Sequence, residues 1–139
     1  MLKILPLLIL IIFSHSVYAE VTSSNIKKHL IGNWIRIVDE SYIKLESRSI
    51  YYEDKRFAYQ VVFTYPEKRP TLTLSGTYEI KDNALIATIL KTNSPDRYIP
   101  GTKIIMKVSF IDDSEFIYAE KSGETITKYR EFWPSWPPP

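Results

Sequence analysis

The sequence of residues 71–80 is TLTLSGTYEI, in which apolar and polar positions alternate. Successive side chains of a β-strand point to opposite faces, so Leu72, Leu74, Gly76, Tyr78 and Ile80 share one face. Threonine, serine and glutamate side chains share the other face. The alternation therefore predicts a strand with one buried and one solvated face. The glycine in its middle predicts a bend or bulge.

The same period of two continues along the chain from Gly32 to Phe132, interrupted by turn-forming residues. Ser23 or Ser24 is expected to cap a short helix that ends at Gly32. Consecutive strands joined by short turns pair antiparallel, and closure of the sheet removes both exposed edges. We therefore predict an all-β domain, an eight-stranded antiparallel up-and-down barrel with a short N-terminal helix. The predicted strands cover residues 34–39, 42–52, 57–65, 71–80, 84–92, 103–111, 116–120 and 125–132.

Residues 1–19 are organised like a cleaved signal peptide. Lys3 precedes an apolar run of ten residues, 4–13, and small side chains lead up to Ala19. The run is shorter than the ~18–20 apolar residues that span a bilayer, so we expect export and no membrane span. The mature protein is expected in the periplasm or outside the cell. Residues 20–132 then form the barrel domain, and residues 133–139 form a Trp/Pro-rich C-terminal tail.

Composition excludes several functions. The 18 basic and 16 acidic residues are interspersed, and this charge balance gives no electrostatic reason to expect nucleic acid as a partner. The chain has no cysteine, which excludes disulfides, thiolate metal sites and a cysteine nucleophile. Only His29 remains after signal cleavage, so a multi-histidine metal site is excluded as well. No acid–base or nucleophile constellation emerges, and we expect a non-enzymatic protein without metal or cofactor.

A short helix leading into Gly32-Asn33-Trp34, followed by meander strands, resembles the lipocalins and lipocalin-like proteins of the calycin group. The resemblance implies a small bacterial lipocalin-like secreted domain in which Trp34 closes one end of the barrel. It also implies that a basic residue late in the last strand packs over the indole. Arg130 matches that role, with Lys128 as the alternative, and such a contact contributes about 0.5–2 kcal/mol. Gly32, Trp34 and Arg130 are thus expected to be a structural signature.

The interior of the barrel leads to the first functional hypothesis. An eight-stranded barrel is wide enough either to be filled by side chains or to hold one small ligand. In the second case the protein is a carrier or sensor of a small apolar or amphipathic molecule, with tyrosine hydroxyls orienting its polar group. In the first case the same residues form an ordinary packed core. The candidate ligand-binding residues are Tyr59, Phe63, Tyr78, Met106 and Phe110.

A second hypothesis is a protein-interaction or inhibitor module of the cell envelope, with another envelope or secreted protein as its partner. Its contacts would come from the loop of residues 94–100 and from the tail, through Tyr98, Trp133 and Trp136. The loop could equally be a proline-stiffened connector. The tail favours polyproline II and could instead fold back over a barrel mouth or fray.

Overall fold

The structure, a computed structural model, describes residues 21–132. The expected signal peptide, and the tail with Trp133 and Trp136, lie outside these residues. The elements are α1 (Ser23–His29), β1 (Gly32–Glu40), β2 (Ile43–Tyr51), β3 (Arg56–Thr64), β4 (Thr71–Lys81), β5 (Ala84–Thr92), β6 (Lys103–Ile111), β7 (Glu115–Ala119) and β8 (Thr125–Arg130). Each strand begins and ends within two residues of its predicted bounds.

The eight strands form one closed barrel in sequence order, and every neighbouring pair is antiparallel. The predicted fold class is confirmed. Closure joins β1 to β8 through the pairs Trp34 with Arg130 and Ile35 with Tyr129, whereas β1 and β2 form nine residue pairs. The seam that closes the barrel therefore has far fewer backbone contacts than its neighbour.

Helix α1 covers one end of the barrel. Its N-cap is Thr22, whose hydroxyl accepts from the Asn25 amide at 3.2 Å, and not Ser23 or Ser24 as predicted. Only the Thr22 backbone is extended as a cap residue requires, and both serines already belong to the helix. Ile26 and Leu30 are fully buried and belong to the same core cluster as Trp34.

Strand β4 has the predicted alternation, with Leu74 and Tyr78 buried and the outer threonines exposed. Its pairing with β5 shifts register between Ser75 and Gly76, so the expected irregularity is present. A Cβ at Gly76 would overlap the backbone carbonyl oxygen of Thr88. The glycine is therefore required for the two strands to approach closely at the bulge.

Strand β6 departs from its predicted pattern. The sequence places Ile104, Met106, Val108 and Phe110 on the inner face, but the pairing with β7 shifts register between Val108 and Phe110. The irregularity reverses the alternation, so Ile111 joins the core and Phe110 does not. The interior position predicted for Phe110 is wrong. Alternation along the sequence assigns side chains to the correct face only where the strand pairing has no bulge.

The covered end of the barrel is closed by Trp34 and Arg130. The guanidinium carbon of Arg130 lies 4.0 Å from the Trp34 ring centroid, so Arg130 and not Lys128 makes the predicted cation–π contact. The guanidinium donates to the backbone carbonyls of His29 and Ile31 and, through Nε, to that of Asp113 at 3.1 Å. The Trp34 indole N–H donates to the Leu30 carbonyl at 2.8 Å. One side chain thus connects β8, the end of α1 and the β6–β7 turn.

Replacing Gly76 with alanine should destabilise the protein by about 1–3 kcal/mol, because the new Cβ meets backbone that cannot move without disturbing the β4–β5 pairing. Urea unfolding measures this change. The neighbouring Ser75→Ala variant is the control and should stay within about 0.5 kcal/mol of the wild type. Equal stability of the two variants would contradict the close approach at the bulge.

Replacing Arg130 with methionine should cost about 2–4 kcal/mol of unfolding free energy, since it removes the contact with Trp34 and leaves backbone carbonyls without their donor. Arg56→Met is a matched control: Arg56 also lies over an aromatic ring, that of Tyr52 at 5.0 Å, but its side chain is 63% exposed. The control should change stability by less than about 1 kcal/mol. Similar losses in both variants would show that Arg130 has no special part in closure.

Candidate ligand cavity

A cavity of about 200 Å³ lies inside the barrel, on the other side of the core from α1. Its wall contains five aromatic, five aliphatic and three polar or charged residues. They are Tyr51, Phe57, Tyr59, Tyr98 and Tyr118; Leu74, Ala87, Ile104, Met106 and Ile126; and Ser49, Glu120 and Lys128. The interior is thus neither filled completely nor widely hollow. Sites for drug-sized ligands are usually about 300–1,000 Å³, so this cavity fits a smaller molecule.

Aromatic rings in edge-to-face and tilted contacts separate the cavity from the closed end. The Phe116 ring lies 5.5 Å from Trp34, edge to face, and 4.9 Å from Tyr118. Tyr51 and Tyr78 are perpendicular at 5.4 Å, and the Tyr78 hydroxyl donates to the Tyr52 carbonyl at 2.7 Å. These packed rings form a floor, and they make the cavity blind at that end.

Lys128 is buried inside the barrel with 2% of its surface exposed. Its Nζ donates to the Ser49 hydroxyl and lies 4.8 Å from the ring centroid of Tyr59 and 5.8 Å from that of Tyr118. None of the ion pairs among residues 21–132 includes Lys128. This is unusual, because a buried lysine charge is normally paired with a carboxylate.

Burial shifts the ionisation of the groups around the cavity. Loss of water lowers the pKa of Lys128 to about 7, while Glu120 acts to raise it and Arg36 to lower it further. Burial also raises the pKa of Tyr59 to about 12 and moves the pKa of Tyr118 upward. The phenols therefore stay protonated near neutral pH and can donate hydrogen bonds.

The predicted ligand residues fall into two groups. Tyr59 and Met106 line the cavity, and Tyr78 is buried in its floor. Phe63 and Phe110 are absent from the lining. Phe63 lies past the end of the core, because the inner face of β3 leaves the packed interior after Val61, which is 3% exposed.

A depression of about 440 Å³ on another part of the surface includes Phe63, Tyr65 and Arg97. None of its lining residues is buried. Although it is larger than the interior cavity, it offers no enclosed apolar surface and no desolvated polar group. We therefore regard the interior cavity as the better ligand site.

The loop of residues 94–100 contributes to the cavity. The Tyr98 amide donates to the Ser94 carbonyl at 2.9 Å, and the Gly101 amide donates to the Ile89 carbonyl at 2.6 Å. The first bond forms a turn within the loop, and the second holds the end of the loop against β5. The Tyr98 ring packs on the core and lines the cavity. Tyr98, expected from the sequence to contact a partner protein, thus has a place in the ligand cavity.

Sequence reasoning missed the position of Lys128, although the signal for it was present. Ile126, Lys128 and Arg130 alternate along β8 and therefore share the inner face. A lysine between two inward-facing residues is predicted to face inward as well. The expectation that charged side chains stay in water works against that conclusion, since Lys is among the residues least often buried.

A scan of protein-family models found no match, and a search of curated proteins found no similar sequence. The fold and the cavity define a closed eight-stranded antiparallel barrel, an architecture compatible with a lipocalin-like fold. Within residues 21–132, no helix has the length and apolar character to cross a membrane. In the same part of the chain, no three His, Asp or Glu side chains are grouped as ligands of a metal ion.

The lowered pKa of Lys128 makes stability depend on pH. An unfolded lysine keeps its proton up to its ordinary pKa of 10.5, so between pH 7 and 10 the unfolded state binds more protons than the folded state. Wild-type stability should therefore rise across this window, by at most about 1.4 kcal/mol per pH unit, relative to Lys128→Met. Above pH 10 the raised tyrosine pKa values reverse the trend in both proteins. Urea unfolding from pH 6 to 10 measures the difference, and parallel curves would contradict the burial of the amine.

Proposed function

We propose that this is a non-enzymatic binding protein that holds one small amphipathic molecule in the barrel cavity. The observation that carries the proposal is a blind cavity with an apolar wall and one desolvated cationic group, Lys128. Ligand sites combine these features: apolar surface supplies the driving force, and a few polar groups fix the orientation.

Both the shape and the polarity of the cavity support an amphipathic ligand over a purely apolar one. The aromatic floor and the aliphatic wall favour burial of hydrocarbon or ring surface. A purely apolar occupant would displace water from Lys128 and leave its remaining N–H groups without acceptors, which costs free energy. A molecule with one polar end satisfies those donors and still fills the rest of the cavity.

The cavity volume limits the size of the occupant. At about 30 Å³ per water molecule, the volume corresponds to roughly seven waters. The proposed ligand therefore has a short chain or a single ring. The expected signal at residues 1–19 adds that binding takes place in the periplasm or outside the cell, as in a small lipocalin-like carrier.

The protein-interaction hypothesis is the second candidate, and one observation favours it. Ile99, next to Tyr98 in the same loop, is 66% exposed. Exposed apolar side chains on loops are common contact points between proteins. The Tyr98 ring itself is directed to the cavity, which leaves less of the loop available for such a partner.

Met106 provides a test of ligand binding, because it is the only methionine besides Met1 and its side chain lines the cavity. With 13C-methyl methionine, added hexan-1-ol should shift the Met106 methyl resonance in a saturable way. Ala87→Leu, which fills the cavity from β5, should weaken this binding at least tenfold. Ala84→Leu makes the same change on the outer face of β5 and should leave it unchanged. A methyl signal that does not respond to hexan-1-ol, or responds equally in both variants, would count against the proposal.

A further inference from the structure

The unpaired ammonium of Lys128 indicates the charge of the ligand's polar group. A lysine ammonium has three N–H donors, and the described contacts assign one of them to Ser49. The faces of Tyr59 and Tyr118 stabilise the positive charge but do not replace a charged acceptor. The ammonium therefore has remaining donors and a charge that no carboxylate among residues 21–132 neutralises at ion-pair distance.

The neighbours of Lys128 are donors as well. Ser49 is 1% exposed and lines the cavity, so its hydroxyl is desolvated. The phenols of Tyr59 and Tyr118 border it too and are protonated near neutral pH. A cation with one hydroxyl beside it, in a cavity that two further phenols line, is a favourable environment for an anion, because charge-assisted hydrogen bonds are the stronger ones.

The acidic side chain in the lining does not occupy this position. Glu120 is exposed and follows the end of β7, where water screens its charge. Lys128 is directly opposite Phe116 in the β7–β8 pairing, next to the aromatic floor. The anionic group would thus lie at the inner, desolvated end of the cavity, with the apolar part toward the mouth near Tyr98.

We propose that the ligand carries a carboxylate, which Lys128 and Ser49 hold at the inner end of the cavity. The inference rests on the proposed function and narrows it to short-chain or single-ring carboxylic acids. A short-chain or single-ring carboxylic acid combines a compact anionic group for Lys128 with an apolar body for the aromatic and aliphatic wall. Inorganic phosphate would supply only the charge.

The test compares hexanoate with hexan-1-ol, which share a hydrocarbon chain and differ in the head group. Isothermal titration at pH 6.5 with the full mature protein should show hexanoate binding at least tenfold more tightly than hexan-1-ol. Lys128→Met should abolish this preference and keep hexan-1-ol binding. Lys107→Met, on the exposed outer face of β6, is the matched control and should keep the wild-type preference. Inorganic phosphate should not bind to the wild type.

The outcomes separate the two proposals. Equal affinities for acid and alcohol in the wild type, or an acid preference that persists in Lys128→Met, would overturn the carboxylate assignment and leave the binding function in place. Failure of both probes to bind would overturn both. Ser49→Ala offers a second variant with Lys128 intact: it should weaken hexanoate binding several-fold and leave hexan-1-ol unaffected. If it weakens neither or both, Ser49 does not hold the carboxylate.

Discussion

The contact of Arg130 with Trp34 is the interaction on which the rest of the structure depends. The β1–β8 seam has only two residue pairs, and one of them is Trp34 with Arg130. The same guanidinium holds the carbonyls at the end of α1, so barrel closure and helix attachment share one side chain. Gly32 has a φ of +121°, which residues with a side chain rarely adopt, and a Cβ there would also overlap this guanidinium, so glycine is required at the start of β1. With this end closed, the space inside the barrel becomes a blind cavity.

The contact between Arg130 and Trp34 also determines where Lys128 lies. Residues two apart on a strand share a face, so fixing Arg130 over Trp34 directs Lys128 into the interior. The cost of burying an amine is reduced by the Ser49 hydroxyl and two aromatic faces, but no carboxylate of residues 21–132 lies at ion-pair distance from it. Strongly perturbed, desolvated groups in cavities are concentrated at functional sites, which is why Lys128 is central to the proposed function.

The fold was largely predictable from the sequence. Alternation of apolar and polar residues indicates each strand, and short turns between consecutive strands make each strand pair with the next one along the chain. Residues 71–80 and the Gly32–Trp34 entry indicate the strands, their order and the closed end. The bulge in β6 was not predictable, since Phe110 continues the apolar pattern and nothing local marks the shift of register. The cavity was only partly predictable: Tyr59 and Met106 line it, but core and lining residues follow the same pattern along a strand. Lys128 and the inward Tyr98 depend on contacts between distant elements.

The ionisation of Lys128 tests the proposed ligand site most directly. Its side-chain carbon resonances can be followed by NMR in a protein of residues 20–139, with Lys128→Met used for assignment. We expect an apparent pKa of about 7 in the free protein and a clear upward shift when hexanoate is bound. A pKa near the ordinary 10.5 in the free protein would contradict this expectation, because the amine would then be in water and not buried at the inner end of the cavity.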